Sequence, residues 1–288
     1  MILFIGQVGR SMLDREAFQE IDYRRMYGQM AKWVAQIDRV ERIPEYLARA
    51  FQVATAGRPG PVVLALPEDM LRERSEAADA RPVRPLVTHP GAADLQELAE
   101  RLAQAERPLA ILGGSGWTAE ACARMQAFAE RWDLPVACSF RRQDRFDNGH
   151  DRYVGDVGIG INPKLAARVR ESDLLLLVGG RLGEMPSSGY TLLQVPTPRQ
   201  GLVHVHAGAE ELGRVYQPDL AIHATPAAFA AALEGLAPPA PPPWGSWREA
   251  ARADYLAWST PPKTPGPLQM GEVVRTLEER LPADAVWC

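Results

Sequence analysis

Between Ala92 and Leu236, short aliphatic runs alternate with amphipathic stretches of about ten residues, and few architectures accept that rhythm. The apolar runs Leu109–Leu112, Val136–Cys138, Leu174–Val178, Leu202–Val205 and Leu220–Ile222 read as buried strands. The stretches Ala92–Ala105, Ala119–Trp132, Pro163–Arg170, Glu210–Val215 and Ala227–Leu236 read as helices between them. Strands joined by helices need right-handed crossovers, which gives an α/β domain with a doubly wound parallel sheet covered on both faces.

Proline divides the rest of the chain. Its 25 residues concentrate at Pro82, Pro85 and Pro90, at Pro238 through Pro243, and at Pro261 through Pro267. Such segments neither continue a helix nor fill a central strand, so they read as extended connections. Before the first, Ile2–Ile5 reads as a strand and Arg42–Ala56 as a helix, with Ile43, Tyr46, Leu47, Ala50, Phe51 and Ala54 on one face. Gly57 ends that helix, and Val62–Leu66 follows as a strand buried on both sides. After the second cluster come a helix at Trp244–Trp258, a helix at Met270–Arg280 and an apolar strand opening at Ala285–Trp287. The expected division is therefore residues 1–72, a linker at 73–90, a central domain at 91–236, a proline-rich connection with a helix at 237–267, and a last piece at 268–288. The flanking pieces are expected to be incomplete α/β domains.

Composition closes off several function classes. Lys plus Arg total 32 against 36 Asp plus Glu, and the charges are interspersed, so no basic surface for nucleic acid is expected. No apolar run approaches a membrane span, and Met1–Ile5 lacks the basic start and length of a signal peptide. Cys122, Cys138 and Cys288 have no metal-type spacing and read as reduced thiols of a cytoplasmic protein. His204 and His206 alternate along a strand, too few ligands for zinc.

Several stretches bring a family into view. Gly6-Gln-Val, Ala17-Phe-Gln-Glu20 and Gly57-Arg-Pro-Gly-Pro-Val-Val-Leu-Ala-Leu-Pro-Glu-Asp69 resemble the second half of the pyrimidine-binding domain of thiamine-diphosphate enzymes such as acetolactate synthase and glyoxylate carboligase. Ala209-Glu-Glu-Leu-Gly213 followed by Tyr216-Gln-Pro-Asp-Leu-Ala-Ile222 is similar to the end of that family's central domain, and Gln269-Met-Gly-Glu272 to the opening helix of its diphosphate-binding domain. The resemblance covers the whole chain. It implies a Rossmann-like, DHS-like central sheet, thiamine diphosphate and Mg²⁺ as cofactors of the complete enzyme, a 2-oxo acid substrate, and a homodimer or tetramer with active sites shared between subunits. It also implies that the catalytic carboxylate and the metal motif lie outside these 288 residues, so the chain is expected to be a fragment without activity of its own.

The same resemblance nominates site residues. Phe18 and Gln19 match side chains that face cofactor and substrate, and Gln7 stands at a strand end where open parallel sheets place ligand contacts. Arg58 matches an arginine that contacts FAD in acetolactate synthases; it can equally serve the end of the preceding helix. Gly113 and Gly114 open a glycine loop after a strand, a place suited to a nucleotide phosphate. Gly179, Gly180 and Arg181 are similar to the Gly-Ala-Arg of FAD-binding relatives, where the guanidinium would meet a diphosphate. His206 stands where many relatives place a ribose-binding Asp, and Glu68 where many acetolactate synthases have Lys. The central domain is accordingly expected to bind FAD or another adenine nucleotide, or to be empty. The competing expectation is a stand-alone nucleotide-binding module without catalysis.

Overall fold

The computed structural model describes residues 1–282 and 284–286, and within them the α/β expectation holds. A first unit contains β1 (Ile2–Gln7), α1 (Tyr23–Tyr27), β2 (Trp33–Gln36), α2 (Ile43–Thr55) and β3 (Val62–Pro67). Its three strands are parallel in the order β1-β3-β2. Val62, Val63, Leu64 and Ala65 are buried because β3 is central and has neighbours on both sides. One face of α2 packs Ala50 and Ala54 against Val62 and Leu64. The helix ends as its sequence suggests: Gly57 takes a left-handed φ of +56°, and the Ala56 N–H closes the last turn on the Gln52 carbonyl at 3.0 Å.

The central domain follows an extended linker. It comprises α3 (Ala92–Gln104), β4 (Pro108–Leu112), α4 (Ala119–Arg131), β5 (Val136–Ser139), β6 (Tyr153–Val157), α5 (Pro163–Glu171), β7 (Leu174–Val178), β8 (Gly201–His206), β9 (Leu220–His223) and α6 (Pro226–Ala232). All six strands run parallel in the order β6-β5-β4-β7-β8-β9. The chain winds outward from β4 in one direction, then returns to β7 and winds outward in the other. The switch point thus falls between β4 and β7.

Side-chain alternation splits the core into two layers. Ala110, Leu112, Leu176 and Val178 face α3, α4 and α6, where Leu102, Phe128 and Phe229 cover them. Leu109, Ile111, Leu175 and Leu177 face α5 and an irregular segment that contributes Leu182, Leu192 and Leu193. Each fully buried leucine adds roughly 1.5–3 kcal/mol of apolar transfer, so these two strands anchor both layers.

Helix α7 (Gly245–Ser259) closes the domain from the proline-rich connection. Trp244 completes one layer and Ala251 the other. Arg252 donates to the carbonyls of Tyr153 at 2.9 Å and Asn148 at 3.1 Å, and Asp254 pairs with Lys164 at 2.8 Å and with Arg168. Helix α8 (Met270–Arg280) lies beyond, with no buried residue.

Three local readings differ from the structure. The helix expected at Glu210–Val215 is one 3-10 turn, Ala209–Glu211, because Gly213 bends away with φ +80°. The stretch between Cys138 and Pro163, where no element is expected, contains edge strand β6. The strand expected to open at Ala285–Trp287 shows none at Ala285 and Val286; Trp287 and Cys288 lie outside the described residues. No helix is long and apolar enough to cross a membrane among the described residues.

Candidate functional site

A cleft of about 670 Å³ opens at the C-terminal ends of β4 and β7, where an open parallel sheet leaves a crevice between diverging connections. Gly114–Gly116 after β4, Gly179–Arg181 after β7, His206 at the end of β8 and Thr225–Ala227 at the start of α6 form its floor. Arg58 and its neighbours Gly57 and Pro59 come from the first unit, and Pro85, Leu86 and Val87 come from the linker. The first unit, the linker and the central domain therefore all contribute to its lining.

The glycines are there because the two loops touch. At Gly114, φ is +71°, and a Cβ would lie 1.8 Å from the Gly179 carbonyl oxygen; Gly179 itself has φ +73° and would place a Cβ 2.6 Å from the Gly113 oxygen. The Gly113 carbonyl accepts from the Trp117 indole at 2.7 Å, so that loop is also tied to the start of α4. Close packing alone accounts for these residues; the backbone surface they leave beside the cleft is what a ligand could use.

Charge in the cleft is mostly positive. Arg58, Arg142 and Arg181 line it, opposed by Glu184, with Leu86, Val87, Phe140 and Met185 supplying apolar surface. Behind the arginines sits Glu211, whose side chain is 2% exposed. Arg58 donates to it at 2.8 Å, and Arg214 and Arg181 stand at 3.3 and 3.5 Å. Burial pushes this carboxyl up, but the Arg58 hydrogen bond and the charges of Arg181 and Arg214 outweigh it and hold the group below the usual range. Arg181, Arg214 and Glu211 also border a smaller inner cavity of about 110 Å³ with His204 and Tyr216. The Tyr216 hydroxyl is buried with no hydrogen-bond partner among the described residues.

Both strand histidines are buried and held neutral. Burial pushes His204 down to about 4, although Nε2 meets the Gly180 carbonyl at 2.9 Å. Burial likewise lowers His206, whose Nδ1 lies 2.9 Å from the Gly208 nitrogen and 3.1 Å from the Gly208 carbonyl oxygen. A neutral imidazole at the cleft can donate to a hydroxyl without adding charge.

Of the residues nominated from sequence, Arg58, Gly114, Gly179, Gly180, Arg181 and His206 line this cleft, and Gly113 lies directly behind it. Gln7, Phe18 and Gln19 do not line it. Gln7 is buried and clips the first unit together, its Nε2 donating to the Ile21 carbonyl at 2.8 Å. Phe18 is 88% exposed, and Gln19 holds a left-handed φ of +68°. Sequence reasoning missed Glu211, because an acidic residue in a short expected helix normally reads as solvated surface. It also missed Arg142, which stands in a stretch rich in charge, and the linker pair Leu86 and Val87.

Comparison with known proteins bears on the family. The family described as "Thiamine pyrophosphate enzyme, central domain" matches residues 95–233. The chain is 27% identical over 77% of its length to the acetolactate synthase large subunit of Corynebacterium glutamicum, of which the match covers 36%. It is 29% identical to the glyoxylate carboligase of Escherichia coli O157:H7, covering 77% of this chain and 37% of the relative. With the acetolactate synthase of Mycobacterium leprae it shares 26% identity over 100% of this chain and 47% of the relative. The chain thus spans less than half the length of these relatives.

Proposed function

From a chain that belongs to the thiamine-diphosphate-dependent, acetolactate synthase-like enzymes, we propose a role as the central part of a 2-oxo acid carboligase or decarboxylase, with an adenine nucleotide in the central cleft. The observation that carries the nucleotide reading is the pair Arg58 and Arg181 at the switch-point cleft. Guanidinium forks suit diphosphate oxygens, neutral His206 suits a ribose hydroxyl, and Leu86, Val87 and Met185 offer apolar surface to a base. FAD and ADP share these features, and the cleft volume is of the size usual for such ligands.

Thiamine diphosphate and Mg²⁺ belong to the complete enzyme in this proposal. Among the described residues no group of three or more His, Cys, Asp or Glu is placed to hold a metal ion. This set of residues does not fit the metal-diphosphate end of that cofactor, and Gln7, Phe18 and Gln19 are the residues proposed to approach it in the assembled enzyme. A homodimer or tetramer would supply the facing subunit, and the cytoplasm is the proposed location.

Calorimetric titration of residues 1–288 with ADP and FAD tests the cleft. Binding of at least one is expected, and saturation at a hundred times Kd would raise stability by about 2.7 kcal/mol. A folded chain that binds neither would remove the nucleotide reading. Pyruvate turnover with thiamine diphosphate and Mg²⁺ is expected to be absent in the 288-residue chain; turnover would mean that the catalytic groups are present in it after all.

A further inference from the structure

Among the described residues one hydrogen bond joins the first unit, residues 1–72, to the central domain, and it is Arg58 to Glu211. The backbone beside it is in contact too: a Cβ at Gly57 would stand 3.7 Å from the Ala207 carbonyl oxygen and from the Gly208 Cα. That carboxylate is buried, and it sits among three guanidinium groups where one would balance its charge. A buried ion pair is seldom a source of stability by itself, since desolvation of both partners offsets the attraction. What such a carboxylate does well is fix geometry. It is an acceptor with about four lone-pair sites, and each arginine has five donors, so one contact per arginine leaves the others free.

The free donors are where a ligand would meet them. The Arg58 side chain is 46% exposed and that of Arg181 40%, and both line the cleft, whereas Glu211 does not. The charges facing the cleft besides these are Arg142 and Glu184. Arg214 stands on the inner-cavity side of the same carboxylate.

We propose that Glu211 is a positioning residue with two linked effects: it fastens the first unit to the central sheet through Arg58, and by the same contact it sets Arg58 and Arg181 to receive the diphosphate of a cleft ligand. The proposal rests on the nucleotide reading of the cleft for its second effect only. Ligand affinity and attachment of the first unit are then coupled, because Arg58 serves both.

The test compares the full chain with Glu211→Gln, which keeps the shape and one acceptor but removes the charge, and with Arg58→Met. Affinities are measured for ADP, inorganic pyrophosphate and adenosine. Loss of one charge-assisted contact corresponds to about a tenfold change. Glu211→Gln is expected to weaken ADP and pyrophosphate by about that factor and adenosine by less than about twofold. Arg58→Met is expected to do the same, and the double variant to be little worse than either. A merely structural residue would lower affinity for all three ligands together. In a second readout, trypsin nicks the linker after Arg74, since Arg81 and Arg84 are each followed by proline and resist it, and gel filtration follows the halves. Wild-type halves should stay together and those of either variant should separate.

Folded Glu211→Gln with unchanged ADP and pyrophosphate affinity would overturn the ligand effect, and nicked variant halves that stay together would overturn the fastening. If Glu211→Gln does not fold, Arg58→Met decides the fastening, and Glu211→Asp, which keeps the charge but shortens its reach, decides the ligand effect by whether ADP and pyrophosphate affinity falls while that for adenosine does not. If the wild type binds neither ADP nor pyrophosphate, the nucleotide reading fails and takes the ligand effect with it. The gel-filtration result then decides the fastening alone.

Discussion

Replacing Gly114 with alanine should be among the most damaging single-methyl additions in the central domain. Two penalties combine there. An L-residue held at φ +71° costs about 1–2 kcal/mol from the contact of its Cβ with its own carbonyl. The added methyl would also lie 1.8 Å from the Gly179 carbonyl oxygen, which is backbone and cannot rotate away. Relief requires the β4 and β7 loops to part, and overpacking of this kind costs about 1–3 kcal/mol. The expected loss is therefore about 2–5 kcal/mol. Gly116 provides the control, because its φ of +84° imposes the first penalty while its nearest neighbour, Pro226 Cδ, is 3.6 Å away in ordinary contact. Urea unfolding of both variants, followed by tryptophan fluorescence and circular dichroism, separates the terms. Gly116→Ala should lose about 1–2 kcal/mol and Gly114→Ala clearly more. Losses within about 0.5 kcal/mol of each other would refute the claim that the glycine loops are required by mutual contact.

The buried histidine predicts a pH response. With His204 at about 4 in the fold against 6.5 when exposed, its contribution to stability should be flat above pH 6.5 and fall as acid protonates the unfolded chain, levelling below pH 4. The slope is up to about 1.4 kcal/mol per pH unit, and His204→Gln should make it shallower; equal slopes in both proteins would count against the assignment. Trp244 is 1% exposed and its indole donates to the Asp133 carbonyl at 2.8 Å. Trp244→Ala should cost about 3–5 kcal/mol and expose residues 237–243 to protease; a loss below about 1 kcal/mol would show that α7 is held elsewhere.

How much of this was legible in the sequence depends on the kind of signal. Uninterrupted apolar runs such as Leu174–Val178 and Val62–Leu66 announce doubly buried strands, and the structure has them. Tyr153–Val157 is also a strand, yet its Gly155 and Asp156 interrupt the apolar run, as an edge position allows. Trp33–Gln36 is similarly short, and only its pairing with Val62–Ala65 makes it a strand. At the site, Arg58 and the glycine pairs were found through the family's motifs. Glu211 was quoted in such a motif and still passed over, since its burial depends on Arg58 arriving from a part of the chain distant in sequence. A contact between units leaves no periodicity to read.

The place of α7 has a consequence for how the chain acquires its fold during synthesis. All six strands of the central sheet have been made by His223, but Trp244 and Ala251, which each complete one face, come only afterwards. At about 5–20 residues per second the ribosome needs further seconds to deliver them, and the finished sheet waits that long with parts of both faces bare. A pause in translation across Pro238 through Pro243 would lengthen the wait. Yield of this protein should therefore depend on chaperones and on codon usage in that stretch, and the dependence would have nothing to do with the stability of the finished molecule.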